Sequence, residues 1–538
     1  MKCGHDNCPP CTPMRLLKIL VLNFSLLLLG PGLAAQSQIK VEKGKQINLT
    51  HANSLKGSPK GFQRLIGAVE FEQQGMIMTC DSAHFFSEEN SLIAFSHVHI
   101  RQGDSLNIFG ELLKYDGNAR RADLSKNVKM IDSDMTLTTD AIVYDLNEKV
   151  ASYSTGGTIV NNENTLTSQI GAYSTEAKVL TFKKNVVLVN PQYVMKCDTL
   201  RYHPLSKTSY FLGPTTIKAT NNSNFIYCEN GFYDSENDVA QFQKNAYIVT
   251  KDQTLKGDSI WYNRKLGLGK AMKNVEILDT AQKITIKGDL AIHNEVTNIS
   301  LITGNALFIQ QFTTDSLFLH ADTLKSITIY DSTALVPKKK KDPADTIVKE
   351  PQKIILGYHN VRFYKTDLQG KCDSLSWTST DSTMRLYNDP VLWSSGNQLT
   401  AEKVSIITHH GEILQLNMDN NAFIVSEEGD STRFNQIKGK KMTGYFVKNE
   451  LTKIYVEGNG QTLYYAKDKD VIMGVNRADC SSLLIKIANQ DVQSVTFYNH
   501  PEATLYPPLD LPPKEALLKD FRWRAVEQPL SVKDLFLK

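Results

Sequence analysis

Carboxylates recur along the chain at a spacing of about 30 residues, always inside the same short box. A small residue precedes the acid and an aromatic follows four positions later, as in Cys197-Asp198-Thr199 with Tyr202. Calcium binding or acid–base catalysis would need several carboxylates at one point, whereas each repeat here supplies one. We therefore interpret the acids as structural residues at bends in the chain. These bend residues are Asp81, Asp140, Asp198, Asp258 and Asp373.

Other residues with catalytic potential form no recognisable constellation. His84, His97 and His99 cluster near one repeat only, and no Ser-His-Asp order, P-loop or H-E-x-x-H motif is visible. The sequence thus predicts no catalytic residues, no metal site and no cofactor. Cys80, Cys197 and Cys228 share one slot of the repeat, which other repeats fill with Gly or Ala. Such a slot favours a small buried side chain over a disulfide or a metal ligand.

A second box, apolar-x-Lys-Asn-apolar-x-apolar, follows each acid, as in residues 182–188 and 242–248. Most Asn residues lie 16 positions after their acid, as Asn274 does after Asp258, which indicates a fixed piece of geometry. Apolar residues alternate with period two, which is typical of strands with one buried face. The buried parity shifts by one residue at each acid, which predicts a bulge or corner there. Asn tolerates the left-handed conformation that a tight turn requires.

The ends of the chain differ from the repeats. Residues 14–35 have a basic start, an apolar stretch and a small-residue exit, which predicts a secretory signal peptide. Residues 1–13 carry Cys3, His5, Cys8 and Cys11; they form either a metal cluster or, as we favour, an upstream segment that is not translated if Met14 is the start. Repeats then occupy residues 36–335 and 354–506. With a net charge of +3, nothing indicates a nucleic-acid partner.

Two segments interrupt or end the repeats. Residues 336–353 are predicted to be a solvated loop, because they contain the run Lys338–Lys341 followed by Pro343. Residues 507–538 form a Pro-rich tail with a short helix near 514–520. Its Phe521-Arg522-Trp523-Arg524 cluster suits either docking onto another surface or packing back over the last strand. Lys438-Gly439-Lys440 and Ala478-Asp479-Cys480 are interpreted as degenerate first boxes near the end of the array.

The two boxes, alternating in register on a chain with an export signal, resemble the OstA/LptA family of lipopolysaccharide-transport proteins. The resemblance covers about residues 60–500. It implies an all-β, extended antiparallel β-jellyroll, a solenoid-like array in which two facing sheets enclose an apolar groove. It also implies lipid A acyl chains in that groove, a location in the periplasm or at the periplasmic face of the outer membrane, and Lpt-type envelope proteins or an outer-membrane partner, with edge-to-edge self-association. At about 4.8 Å per strand, the array would be roughly 60 Å long with one strand per repeat and roughly 125 Å with two.

We therefore expect a lipid-binding protein of lipopolysaccharide transport and outer-membrane assembly that performs no chemistry. The residues expected to line its groove have the buried parity: Val186, Leu188, Leu200, Tyr202, Ile260, Tyr262, Val275 and Ile277. The same side chains would also fit a closed core. The alternatives are a structural scaffold of the outer membrane, docked through the tail, and a β-helical enzyme acting on polysaccharides.

Overall fold

The chain folds into one continuous antiparallel sheet in which nearly every strand pairs with its neighbours in sequence. The computed structural model describes residues 46–57, 61–161, 163–330, 351–409, 412–468, 471–488 and 491–537. Consecutive hairpins join these strands from β3 onwards. The prediction of an all-β, antiparallel array is confirmed.

The strands are bounded as follows. The first twelve, β1 to β12, are Asn48–His51, Ser54–Gly57, Gln63–Gln73, Met76–Phe86, Ser91–Gln102, Leu106–Asp116, Arg121–Asp132, Met135–Asp145, Val150–Tyr153, Gly157–Asn161, Asn164–Ser168 and Ile170–Ser174. The next twelve, β13 to β24, are Val179–Asn190, Tyr193–His203, Thr208–Ala219, Phe225–Asp234, Val239–Val249, Gln253–Asn263, Leu268–Asp279, Ile284–Asn294, Ile299–Gln311, Ser316–Ile329, Gln352–Lys365 and Leu368–Thr378. The last ten, β25 to β34, are Thr383–Tyr387, Val391–Ser394, Asn397–Thr400, Lys403–His409, Glu412–Glu428, Asp430–Val447, Glu450–Asp468, Val471–Ala488, Asp491–Tyr498 and Glu502–Tyr506.

Each long strand is interrupted where its acid or Asn box lies. In the β13–β14 pair, Lys183 faces Thr199 and Val186 faces Cys197, so two residues of β13 lie opposite Asp198 alone. The same two-against-one bulge recurs from β3–β4 to β31–β32. Asp81, Asp140, Asp258 and Asp373 occupy the same bulge position in their own strand pairs. Because a one-residue slip exchanges the two faces of a strand, the bulge keeps the apolar residues on the inner face on both sides of it.

The bulges divide the sheet into two walls. We call wall A the half-strands that run from an acid to the next Asn box, such as residues 199–212, and wall B those from an Asn box to the next acid, such as residues 186–197. Inward side chains of both walls belong to one apolar cluster that runs from Ile47 to Ile485. Since each repeat contributes two strands, the longer of the two length estimates, roughly 125 Å, applies.

The two ends of the sheet are half-length strands. Strands β1 and β2 pair side by side with the two halves of β3, and β33 and β34 pair in the same way with β32. In the part of the chain that the structure describes, these four strands have no partner on their outer side. Unpaired strand edges of this kind are templates for pairing with another chain.

The C-terminal tail packs against the outer face of wall B. It contains 3-10 helices at Pro513–Glu515, Ala525–Glu527 and Val532–Phe536, so the helix predicted near 514–520 is a single short turn. Phe521 and Trp523 pack on Phe434, while Arg524 contacts Asp389 at 2.8 Å. The tail therefore packs back on its own array, across strands β22–β32 and not only over the last one.

Several predicted segments fall wholly or partly outside the described residues. Residues 1–13 and the signal peptide at residues 14–35 lie there, as does the Lys run of the predicted loop. Strand β23 begins at Gln352, which is inside the loop predicted for residues 336–353. In the degenerate repeats, the residues opposite the two-residue bulge are Lys440 and Ser481, one position after Gly439 and two after Asp479 respectively. The positions read from the sequence as the box centres were therefore wrong there.

Candidate functional site

Most bulges contain two consecutive residues in the left-handed conformation, and in several of them the second residue, an Asn, bonds to the acid of the preceding strand. Lys273 and Asn274 have φ angles of 58° and 50°. The Asn274 amide donates to both oxygens of Asp258 at 3.1 Å. Asn245 with Glu229, Asn305 with Asp289 and Asn360 with Asp322 repeat this bond at 2.7 to 3.0 Å. The fixed spacing of acid and Asn thus reflects a direct contact, and these carboxylates hold the bend instead of converging on a ligand.

Small side chains occupy the corner between the two walls. Cys197 faces Val186, Gly257 faces Ala246, and each lies beside its bulge. Cys80, Cys197, Cys228 and Cys372 are buried free thiols in this corner. Burial raises the pKa of the Cys197 thiol to about 12, so the thiolate that would be needed for metal binding or disulfide exchange is disfavoured.

Above the corner, the groove between the walls is closed in residues 46–182, which we call the closed section. On wall B, Phe71, Ile100 and Ile108 are 0% exposed. On wall A, Ala122 and Tyr144 are 0% and 1% exposed. At about 1.5–3 kcal/mol for each large apolar side chain, exposing five of them costs roughly 8–15 kcal/mol, which is comparable to the whole stability of a typical domain. The inner face of this section is therefore a filled core.

Tyrosine hydroxyls join the two walls across the mouth of the closed section. Each comes from wall A and donates to the last residue of a wall B strand that lies 41 or 42 positions earlier in the chain. We call these three pairs the tyrosine clasps: Tyr115 with Gln73, Tyr144 with Gln102, and Tyr173 with Asp132. A buried hydroxyl and a buried amide or carboxylate need such partners, so each pair both satisfies its polar groups and fixes the distance between the walls.

The last clasp contains a buried carboxylate. Asp132 has a side-chain exposure of 3% and accepts hydrogen bonds from Tyr173 at 2.6 Å and Ser105 at 2.7 Å, and it pairs with Lys178 at 3.1 Å. Burial by itself would raise the pKa of Asp132, but the bonds from Tyr173, Ser105 and Lys178 outweigh it and lower that pKa below its ordinary value. Burial and the contact with Asp132 raise the pKa of Tyr173 to about 12. The clasp is therefore a carboxylate bound to a neutral phenol and a lysine.

Beyond this clasp the walls part over residues 186–311, which we call the open section. Its wall B carries a row of half-buried apolar side chains in the positions that are fully buried in the closed section. This row consists of Leu188, Ile217, Ile226, Ile248, Leu255, Ile277, Ile286 and Phe308. Two tyrosines of wall A make their hydrogen bonds within that wall: Tyr233 donates to Asp238 at 2.9 Å and Tyr262 to Glu295 at 3.1 Å.

The lip of the open section is polar. A cavity of about 530 Å³ lies at the outer ends of the wall B strands β16–β20, beside the start of wall A strand β23. Its lining includes Asn224, Gln253 and Asp279 on one side and Lys353 on the other. Gln253 and Asp279 are hydrogen-bonded to each other at 3.1 Å. In cross-section, the groove thus passes from an apolar row near the corner to polar and charged side chains at its mouth.

The residues predicted to line a groove all lie on the inner face, at two depths. Val186, Leu200, Ile260 and Val275 are buried beside the corner and form the floor. Leu188, Tyr202, Tyr262 and Ile277 are half-buried and face the space between the walls. The tyrosine clasps were not predicted from the sequence. The spacing of 41 or 42 positions between each Tyr and an earlier Gln or Asp could have indicated them.

The clustered histidines do not converge. His84 packs on Phe62 with 4.2 Å between ring centroids, His97 contacts Asp81 at 2.7 Å, and His99 stacks on Phe109. The bond to Asp81 is the largest influence that raises the pKa of His97. Among the described residues, no group of three His, Cys, Asp or Glu side chains is placed to hold a metal ion.

Comparison with known proteins places a family match on the first part of the array. Residues 42–198 match the family model for "OstA-like protein". This segment of the chain is OstA-like. For residues 42–198, the resemblance predicted from the two boxes is therefore confirmed. These residues include the closed section and the first two strands of the open section.

Two further comparisons complete this result. A solved structure of LptH, described as the LptA homologous periplasmic component of the conserved lipopolysaccharide transport device from Pseudomonas aeruginosa, aligns at 11% identity over 26% of this chain and 95% of that chain, with a TM-score of 0.20. A comparison with curated proteins found no match. In the part of the chain that the structure describes, no helix has the length and apolar character to span a membrane.

Proposed function

We propose that this protein binds the acyl chains of lipopolysaccharide in the open section of its groove, without chemistry, as part of lipopolysaccharide transport in the periplasm or at the periplasmic face of the outer membrane. The observation that carries the proposal is the row of half-buried apolar side chains on wall B, from Leu188 to Phe308. The OstA-like match supports the lipid class. Nine strands at about 4.8 Å spacing give this row a length of roughly 40 Å, whereas an acyl chain in one leaflet spans about 15 Å.

A pair of neighbouring residues tests this proposal. Tyr262 points into the groove, and Trp261 lies on the outer face with Lys270 over its ring. A photoreactive amino acid at position 262 should crosslink to purified lipopolysaccharide, and the same amino acid at position 261 should not. Equal labelling at both positions would reject the groove as the binding site.

The unpaired edges support a proposal for partners. Strands β1 and β2 at one end, and β33 and β34 at the other, present free backbone groups in the described part of the chain. We propose that these edges pair with Lpt-type envelope proteins or with a second copy of the chain, since β-augmentation needs only an accessible edge. Replacing Leu505 of β34 by Pro should abolish such pairing in cross-linking experiments, because Pro removes a backbone donor.

The two alternative functions gain no support from the geometry. A scaffold docked through residues 507–538 would need a free tail, but Phe521, Trp523 and Leu518 pack into an apolar cluster with wall B. A polysaccharide-active enzyme would need convergent carboxylates or histidines. The recurring acids instead lie one per bulge; Asp258 and Asp289 each bond to an Asn, and Asp81 contacts His97.

A further inference from the structure

The open section lies between two sections in which the groove is filled. On its N-terminal side are the tyrosine clasps and the closed section. On its C-terminal side the inner face of wall B fills again at the depth of this row, since Leu319, Phe363, Leu392 and Ile424 are 1% to 7% exposed. The row of half-buried apolar side chains between Leu188 and Phe308 is therefore separated from each edge of the sheet by buried side chains at the same depth.

We infer that this chain is a compartment that retains an amphiphile between two closed ends, and not a passage along which lipid moves from one edge of the array to the other. The inference rests on the proposed function for the class of ligand. It differs from a conduit because a conduit requires an accessible apolar path at both edges. Here Phe71 and Ile108 occupy that path on one side, and Phe363 and Leu392 occupy it on the other.

The N-terminal boundary of the compartment is polar as well as filled. Tyr173 and Asp132 bond across the mouth at 2.6 Å, and Lys178 contacts the same carboxylate. An acyl chain that moved past this point would have to separate the phenol, the carboxylate and the ammonium, and an alkyl chain offers none of them a hydrogen bond. The clasp thus acts as a stop for an apolar chain.

The cross-section of the compartment indicates an amphiphile as the occupant. Ile226 and Ile277 form part of the apolar row, and Asn224, Asp279 and Lys353 line the cavity at the mouth above it. A purely apolar molecule would contact only the apolar row, whereas an acyl chain with a polar head group would contact both levels. The mixed charge of the lip, with Lys251 and Lys353 beside Asp252 and Asp279, suits a head group that carries both phosphate and hydroxyl groups.

The test uses the unmodified full-length protein and two probes that each carry a diazirine in an acyl chain: lipopolysaccharide and a free fatty acid. After irradiation, the adducts are mapped to peptides by mass spectrometry. We expect adducts on peptides from strands β16 to β20. Peptides from β4 to β7 and from β29 to β32 should carry few adducts or none. Mapping on the native chain avoids substitutions in the filled sections that could prevent folding.

The outcomes distinguish the inference of a closed compartment from the proposal that lipopolysaccharide is its ligand. Lipopolysaccharide adducts spread evenly from β4 to β32 would overturn the compartment and leave lipopolysaccharide binding intact. Adducts from the fatty acid on β16 to β20, with none from lipopolysaccharide, would support the compartment and overturn the proposed cargo. No adducts on β16 to β20 from either probe would overturn both. In a Tyr144→Phe, Tyr173→Phe variant, adducts that extend into β5 to β8 would support the clasps as the stop, and an unchanged map would overturn that role.

Discussion

The closed and open sections are built from the same repeat, yet one is a filled core and the other is a groove. Ile108 and Ile277 lie at the same depth on wall B, each three positions from its bulge: Ile108 comes before Glu111 and Ile277 comes after Asn274. Ile108 is 0% exposed, whereas Ile277 is half-buried. The difference therefore does not come from the residue at the position. We attribute it to the tyrosine clasps, which join the two walls in the closed section, whereas Tyr233 and Tyr262 of the open section bond within wall A.

Truncation of these two isoleucines should give the largest difference between the sections. We expect Ile108→Ala to destabilise the closed section by roughly 2–5 kcal/mol, because it leaves a cavity in a filled core. Ile277→Ala should cost the open section less than about 1.5 kcal/mol, since its side chain is already partly in water. Hydrogen exchange of β6 and β19 measures each effect locally, which matters because a long repeat array does not unfold in a single step. Equal losses of protection would contradict the distinction between the sections.

Removal of the buried carboxylate should have the next largest effect. Asp132→Ala leaves Tyr173, Ser105 and Lys178 without their shared acceptor, and we expect a loss of roughly 2–4 kcal/mol in the closed section. Hydrogen exchange of β7 and β12 is the measurement. Asp315, a more exposed acid, provides the control, and its replacement by Ala should leave the exchange of both strands unchanged.

The same carboxylate predicts a pH dependence. Because the pKa of Asp132 is lowered in the folded chain, its contribution is fully present above the ordinary Asp value of about 3.9 and is lost as pH falls through the folded pKa. Acidification below that range should therefore loosen β7 and β12 in the wild type. An Asp132→Asn variant should start less stable and show a smaller loss on acidification. A wild-type response no larger than that of the variant would exclude Asp132 as its source.

The bulge should behave alike in both sections, because it does not depend on the distance between the walls. We expect Asn274→Ala in the open section and Asn127→Ala in the closed section each to cost roughly 1–2 kcal/mol, since both residues adopt φ angles near 50°. Asn274→Gly should cost less, because Gly tolerates this conformation and only the bond to Asp258 is lost. Local hydrogen exchange again reports the change. A much larger effect in one section would show that the bulge and the wall distance are coupled.

The smallest expected effect concerns the tyrosine hydroxyls. Tyr144→Phe removes a clasp and leaves the Gln102 carbonyl oxygen without that donor, so we expect a loss of about 1 kcal/mol. Tyr262→Phe removes a bond to the exposed Glu295 and should cost about 0–0.5 kcal/mol. Hydrogen exchange of β8 and β18, the strands that carry these tyrosines, would rank the two variants. The reverse ranking would show that the clasps do not hold the closed section together.

Much of the repeat could be predicted from the sequence because it depends on local backbone chemistry. The shift of buried parity at Asp198 and Asp258 marks the bulges, and the Lys-Asn pair marks the two left-handed residues opposite them. The small slot before the acid gives the buried position of Cys197 and Cys228. Each of these features is decided within a few residues of the chain, so a single sequence contains the necessary information.

The opening of the groove could not be predicted in this way. Whether Ile277 meets the opposite wall depends on the accumulated twist of many strands, and parity alone does not report that distance. Tyr115, Tyr144 and Tyr262 all lie four residues after an acid slot, yet the first two cross the groove and the third bonds within its own wall. Whether such a Tyr crosses the groove depends on the residue that faces it from a strand about 42 positions earlier, such as Gln73 for Tyr115.

The order of pairing in the sheet also determines the order in which the molecule can be completed. Each hairpin needs only the hairpin before it, so the array can grow from its N-terminus with short loops to close, which favours rapid folding. The tail is the exception, because the bond from Arg362 to the Asp534 carbonyl oxygen spans 172 residues. The outer face of wall B over β22–β32 therefore stays uncovered until residues 507–538 are made. A chain that lacked them would present that apolar face to chaperones and proteases, so this part of the array depends on residues that are synthesised after it.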